Sequence, residues 1–362
     1  MSSNGEVVYG SLFVYAPNKI APIVFAVMFG LSAAGHFYQC FRHRCFKLAG
    51  LQPFCAALFS LGYALREVGA YNYSWQTDVQ GKINTTNLII YVLSQVFVFV
   101  APPLLELANY HILGRILYYV PYMAPISPGR VLSTFGLLMA IIETLNALGV
   151  ALSSNPAGAS QGAGNAMVVA ALGMQLVVIL VFVLLAGIFH RRIACAKLET
   201  QPLKTMLITL YSSMILILVR SIYRLVEHMG NTEIELDDLA VLQNLSPILR
   251  YEWYFYVFEA TIMFLNSTLW NIFHPGRFLP QSPHTYLARD GVTELVDNQK
   301  DERSLLAKIG AVISFGCCFR RRENRHFEQL NDYEMSNRGS YRGSRSAYRT
   351  SLIRFGRTGS EQ

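Results

Sequence analysis

The chain has 362 residues, enough for more than one soluble domain. Yet only 15% of it is charged, against about 25% in ordinary soluble domains. Hydrophobic residues make up 52% and the mean hydropathy is +0.32. The apolar residues come in long blocks with short polar strips between them, which excludes a soluble α/β enzyme, a secreted disulfide scaffold and a mainly disordered chain, and leaves the membrane class.

Seven stretches are long enough to cross about 30 Å of hydrocarbon. They are 20–40, 48–70, 87–109, 131–152, 166–189, 205–228 and 251–273. The fold expected is an all-α membrane protein, a bundle of seven transmembrane helices. Residues 1–19 carry no apolar region of a cleavable signal, so the first span reads as an uncleaved anchor. Residues 274–322 read as a juxtamembrane segment holding a surface amphipathic helix. Residues 323–362, rich in Ser, Arg, Gly and Tyr, read as a disordered tail open to phosphorylation.

Charge decides the orientation. Residues 1–273 hold 15 Lys/Arg and 13 Asp/Glu, and residues 274–362 hold 15 and 10. The basic excess sits in the tail and points to an anionic inner leaflet rather than nucleic acid. The strips after spans one, three, five and seven hold 24 Lys/Arg; the other side holds Lys19, Lys82 and Arg250. The positive-inside rule then sets the N-terminus outside and the C-terminus in the cytosol. The acceptor sequons at Asn72 and Asn84 fall in an expected outer loop. A third, at Asn244, is weakened by Pro247, and Asn266 falls inside span seven. All six cysteines lie on or toward the cytosolic side, so no structural disulfide is expected.

Ionisable groups inside a span need a partner or a watery cavity. Span six holds Arg220, Tyr223, Arg224 and Glu227, with the charges on one helical face. Span seven holds Glu252, Tyr256 and Glu259 at spacings of four and three. Span two holds Arg66 and Glu67, which being adjacent point in different directions. A rise of about 1.5 Å per residue puts Arg220 and Glu259 each roughly 12 Å inward from the outer end. These groups form either a clamp between three helices or the polar wall of a path for an amphiphile's head group. Glu143 in span four and Glu106 in span three are harder to pair. Each is either a proton-coupling carboxylate or a locally hydrogen-bonded one. Pro102-Pro103 is expected to break span three and to serve as a hinge. His36 and His111 read as hydrogen-bonding anchors near inner helix ends.

Absences narrow the function. There is no phosphate-binding G-x-x-x-x-G-K-[ST] loop, no G-x-S-x-G, no H-E-x-x-H and no C-x-x-C. The histidines are scattered and form no metal set, so no cofactor and no enzyme activity is expected. Cys317-Cys318, followed by Arg320-Arg321-Arg322 and preceded by an apolar run, suits palmitoylation beside a basic patch.

Several segments together resemble the fungal RTA-like family, also called the lipid-translocating exporter family. Arg220-x-x-Tyr223-Arg224-x-x-Glu227 is similar to its R-x-x-[YF]-R-x-x-E. Glu252-x-x-x-Tyr256-x-Phe258-Glu259 is similar to its E-x-x-x-Y-x-[FL]-[DE], and His274-Pro275-Gly276 to its H-P-G. Gly62-Tyr63-x-x-Arg66 is similar to its G-Y-x-x-R. Pro102, Tyr110, Gly114 and Arg115 fit after span three; Tyr15, Pro17 and His36 fit around span one. The resemblance covers 9–277. Phe59 stands where the family often has Glu, and Met139 and Asn146 where it usually has Asp and Gln.

The resemblance implies a seven-helix fungal membrane protein of stress resistance that moves amphiphiles, with sphingoid long-chain bases or sterol-like toxic compounds as substrates. The alternative reading is a seven-helix receptor or membrane-stress sensor. The plasma membrane is the first expectation, with vacuole and endoplasmic reticulum as alternatives. Expected partners are membrane lipids or amphiphilic small molecules.

Overall fold

The computed structural model describes residues 7–74, 84–126, 128–153, 161–196, 200–230, 239–280, 285–287 and 293–296. By contacts the chain divides into one unit of residues 1–286 with 296–298 and a second of 287–295 with 299–362. Of the second, only Leu287 and residues 293–295 are described.

The first unit is helical. α1 (Ala21–His43) has Pro22 in its first turn and ends at Arg44, whose left-handed backbone (φ 50°) sends its N–H back to the Cys40 and Phe41 carbonyls. The short α2 (Phe46–Ala49) leads through Gly50 into α3 (Leu51–Tyr71). α4 (Thr85–Tyr119) is capped by Asn84, whose side chain accepts the Asn87 N–H at 3.2 Å. α5 (Pro128–Ser153), α6 (Gln161–Cys195) and α7 (Gln201–Met229) follow. Two short helices, α8 (Leu239–Gln243) and α9 (Pro247–Arg250), precede the last long segment. That segment is α10 (Glu252–Phe255), a π-helical turn (Tyr256–Thr261) and α11 (Ile262–Ile272). α12 (Pro275–Phe278) and the strands β1 (Thr285–Leu287) and β2 (Glu294–Val296) complete the described elements beside a single 3-10 turn (Pro121–Met123).

Six of the seven apolar stretches each fall on one continuous helical run, while 48–70 takes in the end of α2, Gly50 and most of α3. Five of them, in α1, α4, α5, α6 and α7, are long and apolar enough to cross a membrane. Large apolar side chains face outward along them, among them Leu31, Val177, Leu184 and Ile215. Leu184 is 64% exposed, a surface that suits hydrocarbon rather than water.

Helix neighbours close into a ring: α1, α3, α4, α5, α6, α7, α11 and back to α1, with α4 also touching α7 across it. Glycines set two of the contacts. A Cβ on Gly62 of α3 would lie 2.8 Å from Val98 Cγ2 of α4, and one on Gly149 of α5 would lie 2.8 Å from the Gly164 carbonyl of α6. Small residues that let backbones approach are the usual device of helix packing in lipid. Aromatic stacks fill the ring, with Phe29 on Phe59 at 4.6 Å and Tyr110 on Phe182 at 4.9 Å. Phe59, where the family often has Glu, is therefore a core residue.

One expectation is corrected here. Pro102 and Pro103 do not break α4, which runs as helix through both. Proline removes two backbone donors, but both residues are buried and α4 is packed against α3, α5 and α7, which hold the helix together around them.

Asn72 is exposed at the end of α3, and Asn84 caps α4 on the far side of residues 75–83. Asn266 is fully buried in α11. Cys317, Cys318, the basic tail and the acidic Glu233, Glu235, Asp237 and Asp238 lie outside the described residues.

Candidate functional site

The charged residues of α3, α7 and the α10–α11 segment do not merge into one network. They form three ion pairs, two of them buried and the Arg224–Glu227 pair half-buried, and the two on α7 feel each other's charges.

The first is built on Arg66, only 2% exposed. Its Nη2 donates to Tyr15 Oη at 2.9 Å and to Glu252 Oε1 at 3.3 Å, and its Nε to Tyr256 Oη at 3.4 Å. The guanidinium lies over the rings of Phe255 at 4.2 Å and Phe13 at 4.8 Å. Glu252 is held from its other oxygen by the backbone N–H of Asn18 at 2.8 Å. Residues 11–18, which precede α1, thus supply an aromatic face, a hydroxyl and a backbone donor. Tyr15 fits the family pattern, but nothing in its spacing linked it to Arg66; Asn18 and Phe13 carried no sequence signal. Glu67 stands apart. Its carboxylate takes no hydrogen bond among the described residues, and its charge partner is Lys19.

The second pair is Arg220 of α7 with Glu259. Arg220 Nε donates to both carboxylate oxygens at 2.9 Å, and Glu259 is fully buried. Glu259 sits in the π-helical turn, where Thr261 Oγ1 donates to the Tyr256 carbonyl at 2.8 Å. Such turns insert one residue and re-aim side chains, and they recur at functional sites.

The third pair, Arg224 with Glu227, lies within α7 itself. His228 is at 3.2 Å from Arg224 and the Phe99 ring lies 4.1 Å from the guanidinium. Tyr223 is buried and stacks on Phe258 at 5.5 Å.

Deeper in the ring, Glu106 is fully buried and satisfied by neutral donors: Tyr110 Oη, and Gln175 Nε2 at 2.8 Å. Glu143 is partly exposed, bonds to Asn146 and feels the charge of Arg220. Ser213 Oγ accepts from Asn109 at 2.8 Å and from Trp270 at 3.0 Å. Beside these satisfied groups stand buried polar atoms with no hydrogen-bond partner among the described residues: Tyr63 Oη, Ser221 Oγ and both side-chain atoms of Asn266. Buried polar groups in native proteins nearly always have a partner, so these mark places for water or a ligand.

The polar groups continue along the α1–α11 contact. His36 Nε2 lies 3.1 Å from the Ser267 carbonyl, Asn271 Nδ2 donates to Ser32 Oγ at 2.7 Å, and Gln39 Nε2 to the Asn271 carbonyl at 2.9 Å. At its end the expectation that no metal-type set exists is corrected. Cys40, Cys45 and His274 converge, all buried, with their ligand atoms within 4.8 Å of one another. Sequence spacing missed this because Cys40 and His274 are 234 residues apart. Burial, then His43 and Arg277, push the His274 pKa down to about 4, so its ring is neutral at pH 7. Cys40, Cys45, Cys55 and Cys195 are all free thiols.

A ring of long apolar helices enclosing buried ion pairs and a polar seam defines an all-helical, multi-pass membrane protein. Comparison with known proteins carries this to a family. Residues 54–282 match the family model described as RTA1 like protein, and the chain belongs to that family. It is 45% identical over 337 residues to a lipid-translocating exporter-like protein RTA1 of Leptosphaeria maculans, covering 91% of this chain and 64% of the relative's length. It is 29% identical over 262 residues to a protein of the same name from Ajellomyces capsulatus, covering 68% of this chain and 78% of the relative. It is 25% identical over 295 residues to the probable lipid transporter atnI of Emericella nidulans, covering 75% and 69%. The chain therefore spans under two thirds of the length of the first of these. No solved structure matches it.

Proposed function

We propose that the protein translocates an amphiphile with a cationic or zwitterionic head group across the membrane. In this reading seven helices span the bilayer, with the N-terminus outside and the C-terminus in the cytosol. Asn72 and Asn84 carry glycans on the outer face. The membrane is the plasma membrane.

The observation that carries the reading is the Arg220–Glu259 pair, buried where the last span is unwound into a π-helical turn. A carboxylate held by an arginine in a dry site is a ready acceptor for a lipid amine, because the incoming ammonium replaces one cation with another. Glu252 and Glu227 stand in the same relation to Arg66 and Arg224, so three such exchange points line the outer half of the bundle. The arginines released in the exchange meet a phosphate where the lipid carries one. Tyr63, Ser221 and Asn266, whose side chains have no hydrogen-bond partner among the described residues, extend a path inward. Motion of α4 about Pro102-Pro103 gates it, and Glu106 and Glu143 are the carboxylates through which a proton gradient couples. The relatives named for lipid translocation and lipid transport support the substrate class.

The test is flux. Purified protein in liposomes, with a labelled long-chain base and with or without a pH gradient, is expected to move the lipid. Glu259→Gln is expected to abolish movement. Absence of flux for every amphiphile tested, with monodisperse protein, would turn the reading to a receptor or sensor.

A further inference from the structure

We propose that Cys40, Cys45 and His274 form a binding site for a zinc ion that ties the end of α1 to the end of α11. The site is separate from the ion pairs above, and its test does not depend on transport.

The donor atoms already stand at ligand spacing. Cys40 Sγ and His274 Nε2 are 3.7 Å apart. With Zn–S near 2.3 Å and Zn–N near 2.0–2.1 Å, a tetrahedral ion places sulfur and nitrogen about 3.6 Å apart. The third donor, Cys45 Sγ, lies within the same 4.8 Å group. All three side chains are withdrawn from solvent; Cys45, the most exposed, is at 7%.

The local chain is shaped to bring them together. The left-handed Arg44 turns the backbone so that the Cys45 N–H reaches the Cys40 carbonyl at 3.2 Å. Gly276 makes room on the other side: a Cβ there would lie 2.9 Å from Cys45 Sγ and 2.7 Å from His43 Cβ.

The donor set selects the ion. Two thiols and an imidazole suit zinc and exclude calcium and magnesium, which take oxygen. Zinc with two thiolates is neutral overall, as a site this dry requires. The fourth position is left to water or to His36, whose nitrogens lie outside the 4.8 Å group of the three donors. His36 sits one helical turn before Cys40, and its ring is centred 6.3 Å from that of His274. Donation from its Nε2 to the Ser267 carbonyl leaves Nδ1 as a buried lone pair without a partner among the described residues. An imidazole that donates one nitrogen to a carbonyl and offers the other is the usual posture of a metal-bound histidine.

Protons balance as follows. The Gly276 N–H reaches His274 Nδ1 at 3.2 Å, so the metal-free ring holds its proton on Nε2, facing Cys40 Sγ. On binding, both thiols lose their protons to solvent. The imidazole shifts its own proton to Nδ1, gives up the Gly276 contact and turns the Nε2 lone pair to zinc.

The experiment uses the full chain, purified in detergent and stripped with chelator. Zinc added back is expected to bind at about one ion per chain. Cobalt in its place is expected to give thiolate charge-transfer bands and the visible bands of a tetrahedral ion. Cys40→Ser and Cys45→Ser are each expected to weaken binding by at least about tenfold. Cys195→Ser, at an exposed thiol, is expected to bind as the wild type does. Should the two variants fail to stay monodisperse, thiol labelling of the wild type decides, since zinc is expected to protect two thiols. Full binding by a Cys40→Ser/Cys45→Ser chain overturns the proposal, as does wild-type protein that takes up no zinc or whose labelling zinc leaves unchanged.

Discussion

Arg220 and Glu259 meet through a single atom: Nε of the arginine lies 2.9 Å from both carboxylate oxygens. Removing one partner of such a buried pair strands the other charge, at a cost of about 3–5 kcal/mol. Glu259→Gln is therefore expected to unfold at a clearly lower temperature in detergent. Arg220→Met/Glu259→Leu, which removes both charges, is expected to recover most of the loss. A single variant as stable as the wild type would show that the pair does not hold α7 to the last span.

Arg66 is held by its shape as much as by its charge. Its flat guanidinium lies over three rings and reaches three oxygen acceptors, a geometry that a lysine ammonium lacks. Arg66→Lys is expected to cost about 1–3 kcal/mol, and Tyr15→Phe, which removes one hydrogen bond, about 1 kcal/mol. Thermal unfolding of the two variants should rank them in that order.

Glu106 has both oxygens satisfied by neutral donors. Gln175→Leu takes away one donor and leaves a buried carboxylate oxygen bare, so a loss of about 1–3 kcal/mol is expected. Pairing it with Glu106→Leu is expected to recover stability, because the unmatched polar group is then gone as well. A double variant weaker than the Gln175→Leu single would contradict this account.

Two glycines make a matched comparison. A Cβ at Gly62 would lie 2.8 Å from Val98 Cγ2 and 3.1 Å from the Val98 backbone nitrogen, while at Gly173 it meets nothing within 4 Å. Gly62→Ala is expected to destabilise by about 1–3 kcal/mol through the α3–α4 contact. Gly173→Ala, on an open face of α6, is expected to gain up to about 1 kcal/mol in helix propensity. Equal unfolding temperatures would refute the close approach.

The helices were legible because hydropathy marks them directly. Span six, read as 205–228, is the core of Gln201–Met229. The apolar stretch 87–109 is shorter than the helix that carries it. α4 continues past 109 through Tyr110, His111 and Arg115, where polar residues end the apolar block without ending the helix. The π-helical turn had no signal, since Tyr256–Thr261 holds neither proline nor glycine. The charged residues were identifiable one by one, but not their pairing. Spacing on one helix grouped Glu252, Tyr256 and Glu259, whereas the fold gives the first two to Arg66 and the third to Arg220. Contacts of high sequence separation, such as Asn18 with Glu252 or Cys40 with His274, follow from ring closure and leave no local trace.

The contact between α1 and α11 differs in kind from every other one around the ring. Residue numbers rise together across it, from Ser32 beside Ser267 to Cys40 beside His274, so the two helices run the same way and no short loop can join them. In lipid no hydrophobic force draws one apolar helix to another, so close packing and interhelical hydrogen bonds do the joining. Among the described residues this joint is fastened by the polar groups of Ser32, His36, Gln39, Ser267 and Asn271, beside the edge-on contact of Phe29 with Phe264. Its strength is set by how dry it stays: water admitted here offers each of those groups a substitute partner. A detergent or lipid that lets water into the bundle will loosen it at this line before it loosens the helix hairpins.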